Sequence, residues 1–284
     1  MNRYFTLVFA SVCLLALTAQ AGRIKKETRH VKSEGAKELD VEIEFGAGEL
    51  RIYSDDIHDA AVIDLEYDPR HIEYEIDYEI EDHTGLLHLA TEHGRKSHIG
   101  SLDNQMDIAL SSEYTTSLEL QFGACEAIID LGGIPLERLE IEAGAASGQI
   151  DFSAPNPERL KRLNIEAGAS SLEMYSLGNA NFDMMEFSGG VGAFELDFRG
   201  EYSGESEINI EIGLGSAEII LPRNLPVHIE TNGSGFLSSI DFHNDDLDEI
   251  DDGVFESEDF RSAKDRIVMN LEVGMGSIDT YFKR

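Results

Sequence analysis

The chain has 284 residues, 22 Lys+Arg against 56 Asp+Glu, and a formal net charge of −34. Such a surface repels phosphate backbones and anionic headgroups, which excludes nucleic acid as a partner. Hydrophobic residues still make up 42% and alternate with the acids, so the acidity is not that of a disordered chain.

The first 21 residues read as a secretory leader. Asn2-Arg3 is a short charged start, Tyr4 to Leu17 is apolar, and Thr18-Ala19-Gln20-Ala21 supplies small residues for cleavage after Ala21. Cys13 lies within it, so only Cys125 remains, which cannot form an intramolecular disulfide. No later apolar run reaches roughly 18 residues, so no transmembrane helix is expected in the mature chain.

From residue 38 onward one phrase recurs: an alternating strand, a Gly-x-small element, and a second alternating strand. Its copies are LDVEIEFGAGELRIY, LELQFGACEAIIDL, LEIEAGAASGQIDF, LNIEAGASSLEMY, MEFSGGVGAFELDF, INIEIGLGSAEIIL, HIETNGSGFLSSIDF and LEVGMGSIDTYF. The aligned glycines are Gly46, Gly123, Gly144, Gly168, Gly190, Gly213, Gly233 and Gly274. Between Gly123 and Gly233 the steps are 21, 24, 22, 23 and 20, and the last step of 41 reads as two periods. A near-constant period of this length marks a stacked array.

The apolar residues change parity across each glycine. Val41, Ile43 and Phe45 are odd, whereas Leu50 and Ile52 are even; Ile165 and Leu172 or Ile212 and Ile219 show the same flip. A flat strand cannot keep one face buried across such a flip, so a bulge or a corner with positive φ is expected at the glycine. The fold class is therefore all-β, a β-solenoid (β-helix) of roughly 20–24-residue coils. A β-sandwich is the alternative. The expected organisation is a leader (1–21), an N-terminal capping region (22–113), solenoid repeats (114–241), an acidic insertion (242–266) and a final coil (267–284).

The segment LDVEIEFGAGELRIY, followed by AVIDLEYDP, IEYEIDYEI and GLLHLAT, resembles the N-terminal part of the bacterial toast-rack domain family. The coils from LELQFGACEAIIDLGGIPLERLEIEAGA onward resemble its stacked repeats, so the likeness runs from about Lys37 to Phe198 and, less closely, on to Arg284. It implies a β-helical architecture of the kind found in adhesin-like envelope proteins, and it supplies no catalytic residue. Members of cell-wall stress responses carry transmembrane helices that this chain lacks, so their signalling role is not carried over.

Two residues before the glycine stand Glu44, Gln121, Glu142, Glu166, Ser188, Glu211, Thr231 and Glu272. In stacked coils the glutamates Glu44, Glu142, Glu166, Glu211 and Glu272 form an acidic ladder on the outer face. That ladder either binds a cation or basic partner, or keeps solvent-facing strands soluble and unpaired. The run from Asp241 to Phe260 is the densest in acid and reads as a solvated, mobile insertion. An EF-hand fails there because Ile250 falls on a ligand position, leaving Asp245, Asp246 and Asp248 as the acids through which Ca2+ would bind.

His83, His88, His93 and His98 recur every five residues, an odd spacing that sends neighbours to opposite faces of a strand. Cys125 occupies a small-residue corner and reads as packed. No G-x-S-x-G, P-loop or H-E-x-x-H occurs, and no cofactor motif is present. The expected function is a non-catalytic, exported cell-envelope or surface scaffold, or an adhesin-like binding module. Its expected partner is an envelope or surface protein, or a second copy of the chain. The alternative is a glycan-acting β-helix enzyme.

Overall fold

The computed structural model describes residues 13–14, 24–93, 104–232, 237–243 and 247–284. Of the first 21 residues, only Cys13–Leu14 are described, as a two-residue strand β1 antiparallel to β2 (Lys25–Lys32). No helix among the described residues is long and apolar enough to cross a membrane.

The repeated phrase is one bent strand. The long strands β3 (Glu38–Asp55), β8 (Thr115–Asp130), β11 (Leu160–Tyr175), β12 (Phe182–Asp197) and β13 (Glu205–Pro222) each run through the corner glycine. One further coil is broken there into β9 (Leu136–Ala143) and β10 (Ser147–Asp151). These coils stack parallel and in register, as a solenoid requires. Before the corner, Ile43, Leu120, Ile141, Ile165, Phe187 and Ile210 form a single buried column. After it, Ile52, Ile129, Ile150, Met174, Leu196 and Ile219 form a second. The parity flip is thus the chain turning around its own core. At about 1.5–3 kcal/mol per fully buried side chain, these columns dominate the stabilising side of the fold.

The corner differs in one respect from the expectation. None of the aligned glycines in the described residues has positive φ; that conformation falls two residues later, at Gly48, Gly215 and Gly276. The aligned glycine is required by stacking instead. A Cβ on Gly168, Gly190 or Gly213 would lie 2.9, 2.7 or 2.8 Å from the carbonyl oxygen of the corner glycine one coil back. Backbone sits on backbone, and no side chain fits between. Gly233 lies outside the described residues.

The last segment in sequence is not the last in space. Strand β18 (Arg266–Lys283) pairs with β13 on one side and with β14 (Val227–Asn232) and β15 (Ser238–His243) on the other, parallel throughout. The chain builds the outer coil first and then returns to fill the layer beneath it. The 41-residue step is therefore one layer backward, not two periods forward, and Gly274 stacks on Gly213. The register also sets Asn232, not Thr231, opposite Glu272.

Both ends are closed by antiparallel pairs. At the N-terminal end β6 (Thr84–His93) and β7 (Asn104–Ser111) each cover half of β3. They are capped by β5 (Ile72–Glu81) and β4 (Asp59–Tyr67), with β2 beyond β4. At the other end the run expected to be a mobile insertion forms a hairpin of β16 (Leu247–Asp251) and β17 (Val254–Ser257), and β17 pairs with β14. The hairpin is anchored where Phe255 packs on Phe242, with ring centroids 4.5 Å apart and planes tilted by 43°, against the end of the core.

The third side of each coil is irregular and depends on asparagines. Buried Asn156 accepts the Leu136 and Glu158 amides at 3.0 Å and donates to the carbonyls of Leu136 (2.8 Å) and Ala180 (3.2 Å). Asn179, in the short 3-10 turn Leu177–Ala180, repeats the device one coil on, to Phe152 and Glu201. Backbone groups with no ladder partner are satisfied in this way.

Two substitutions test this account by urea unfolding. Gly190→Ala should cost about 2 kcal/mol, because backbone must move, whereas Gly204→Ala, with open space around a φ of +92°, should cost only about 1 kcal/mol. Thr280 ends the second core column fully buried, its hydroxyl lacking a hydrogen-bond partner, so Thr280→Val should raise stability by about 1 kcal/mol.

Candidate binding groove

In each coil the residue two before the corner faces outward, because the residues on either side of it face the core. Stacking sets Glu44, Gln121, Glu142, Glu166, Ser188, Glu211 and Glu272 directly opposite one another across seven successive coils. The expected ladder therefore exists, and all five of its glutamates are exposed. None of the five carboxylates has a hydrogen-bond or ion-pair partner among the described residues. The next column inward along the strands is better compensated: Arg138 pairs with Glu140 at 2.7 Å and Arg162 with Glu186 at 3.3 Å.

Beside the ladder, the column of bare glycines leaves an open groove of about 710 Å³. Glu44, Gln121, Glu142, Glu166, Ser188 and Glu211 line one wall, the corner glycines form its floor, and among the described residues no Lys or Arg lines it. Fully solvated like charges at strand spacing repel by on the order of 1 kcal/mol per neighbouring pair. The aliphatic columns beneath outweigh that cost. What remains is a concave strip of uncompensated negative charge.

Two further features had gone unread in the sequence. The residue after the corner glycine is Ala47, Ala124, Ala145 and Ala169 in the first coils, then Val191, Leu214 and Met275. Val191, Leu214 and Met275 are in register and about half exposed, at 53%, 47% and 45%. Leu237, 58% exposed, extends this apolar ridge, its carbonyl accepting the Gly276 amide at 3.0 Å. The signal was the change from Ala to large residues at one fixed offset from the glycine.

The second feature is another acid column: Glu173, Glu195, Glu218 and Asp279, each five residues past its corner, with Asp241 as the register partner of Asp279. Partial burial, with the like charges of Glu218 and Glu173 on either side, raises the Glu195 carboxyl above its ordinary value. Lys283 reaches Glu218 at 3.3 Å and His243 reaches Asp279 at 3.1 Å.

Asp248 lies on β16, and Asp245 and Asp246 lie outside the described residues. His83 occupies a turn with φ of 78°, His88 faces outward from β6, and His98 lies outside the described residues. Cys125 is buried opposite Gly48 in a column of small residues, and burial pushes its thiol up to about 11. It is packed, as expected, and poorly suited to nucleophilic work.

The family model for the N-terminal domain of toast_rack, DUF2154, matches residues 20–175, more than half of the chain. The chain belongs to the toast-rack family. The toast-rack match begins at residue 20 and ends at the last residue of β11, so it spans the capping strands from β2 onward and the first four coils of the stack. No curated protein matches the chain. A solved structure titled a "putative cell adhesion protein" from Clostridium sporogenes ATCC 15579 is 21% identical, over 92% of this chain and 100% of that one, with a TM-score of 0.49. Two structures titled "putative adhesin", from Bacteroides fragilis NCTC 9343 and Parabacteroides merdae ATCC 43184, are each 12% identical with TM-scores of 0.38. Each covers 92% of this chain, and 98% and 97% of the respective relative.

The raised Glu195 carboxyl gives a pH dependence with a definite sign. An acid raised above its ordinary 4.5 contributes stability that is intact below that value and is lost as the pH rises through the raised one. Glu195→Gln should therefore raise the urea midpoint at neutral pH, with the gain vanishing once the pH falls below about 4.5. Equal gains at both pH values would show that the neighbouring acids do not repel it.

Proposed function

We propose that this toast-rack protein is an exported, non-catalytic binding module of the cell envelope or surface, and that it holds its partner along the acidic groove. The observation that carries the reading is the row of glutamates with no countercharge among the described residues, beside a half-exposed apolar ridge. A folded protein gains nothing in stability from either feature. Together they suit an extended segment that carries Lys or Arg on one side and apolar residues on the other. The leader-like first 21 residues support export.

The partner is then a basic segment of an envelope or surface protein, and its binding should weaken as salt screens the groove. The test is capture of cross-linked partners from the native envelope, in parallel with a triple variant Glu142→Lys, Glu166→Lys and Glu211→Lys. These residues are exposed and unpaired among the described residues, and circular dichroism checks that the variant folds. A dominant partner retained by the natural chain and reduced at least tenfold by the variant supports the groove. The same partner recovered equally by both would remove the groove from the interaction.

A further inference from the structure

At the N-terminal end of the stack the outward face carries a histidine among the acids. Glu42 and Glu44 lie two apart on β3 and so share a face, and His88 on β6 is the register partner of Glu42. His88 Nδ1 lies 3.0 Å from Glu42 Oε2. The three side chains each place a ligand atom within 4.8 Å of the other two, the only such cluster of three among the described residues. Glu42 pairs with nothing else among those residues. Asp77 flanks His88 from β5, so no cation neutralises the group from that side either.

We infer that Glu42, Glu44 and His88 form a site for a divalent transition metal, with Zn2+ as the representative ion. One imidazole nitrogen with two carboxylates is a zinc donor set; calcium takes oxygen ligands alone. At Zn–N and Zn–O lengths of about 2.0–2.2 Å, tetrahedral ligand atoms sit roughly 3.4 Å apart. The observed spread closes to that by rotation of two solvent-facing glutamates, and the two strands that bear the ligands are held in register by the sheet. Water completes the coordination.

His228 shows why proximity to acids is not sufficient. It approaches Glu256 through Nδ1 at 3.0 Å and Glu230 through Nε2 at 3.4 Å, so its two carboxylates lie on opposite edges of the ring and cannot share an ion with it. This inference stands apart from the groove's macromolecular partner, since it concerns the purified chain alone.

The test is Zn2+ binding by calorimetry on the purified full chain, with His88→Ala, Glu44→Gln, His228→Ala and Glu166→Gln in parallel. All four positions are on the outer face, and circular dichroism checks that each variant folds. The natural chain should take up one Zn2+ at its tightest site and lose at least about tenfold in affinity in His88→Ala and in Glu44→Gln. His228→Ala and Glu166→Gln should bind as the natural chain does. Unchanged affinity in His88→Ala would overturn the site. So would an equal loss in Glu166→Gln, which would mean diffuse attraction to the acidic surface.

Discussion

The stack depends on one close approach. At Gly123, Gly168, Gly190, Gly213 and Gly274 the backbone of one glycine rests on the carbonyl oxygen of the glycine below, with no room for a methyl group between them. That contact lets a strand bend without parting from its neighbours, so the hydrogen-bonded ladder continues on both sides of the bend. It also holds the coils in register, and everything else in the molecule is a consequence of register. The aliphatic columns close because like stacks on like. The outward positions form straight columns for the same reason.

A register that aligns core residues aligns surface residues as well, and the sequence cannot have one without the other. Where the outward residue is acidic, the result is a row of like charges, seen on both faces of the bend. The two rows are treated differently. The column after the corner is tied in part by Lys283 and His243. The column before the corner is left bare along the groove, and next to it the chain changes from alanine to Val191, Leu214 and Met275. Charge left uncompensated beside exposed apolar surface is what distinguishes the groove from ordinary solubilising acidity.

The ends of the column are where the repeat is abandoned. A stack of parallel strands exposes its last edge, and here each end is met by antiparallel pairs, β4 and β5 at one end and β16 with β17 at the other. At the second end the chain also reverses its order, placing β18 beneath β14 and β15. The C-terminal strand thereby lies inside the sheet, paired along both edges.

The sequence by itself determined the coil. Period, parity flip and glycine position can be read in LNIEAGASSLEMY alone, because alternation and the bend are local properties of a strand. The glutamate ladder followed from the same alignment, and so did the small residue at Cys125. Only the tertiary structure decided what the glycine is for, since a carbonyl one coil below has no trace in the local sequence. It also decided the place of β18, because a 41-residue step forward and one layer backward read identically along the chain. The grouping of His88 with Glu42 and Glu44 was likewise hidden: 44 or more residues separate it from either glutamate, and only pairing across the sheet brings them to one face.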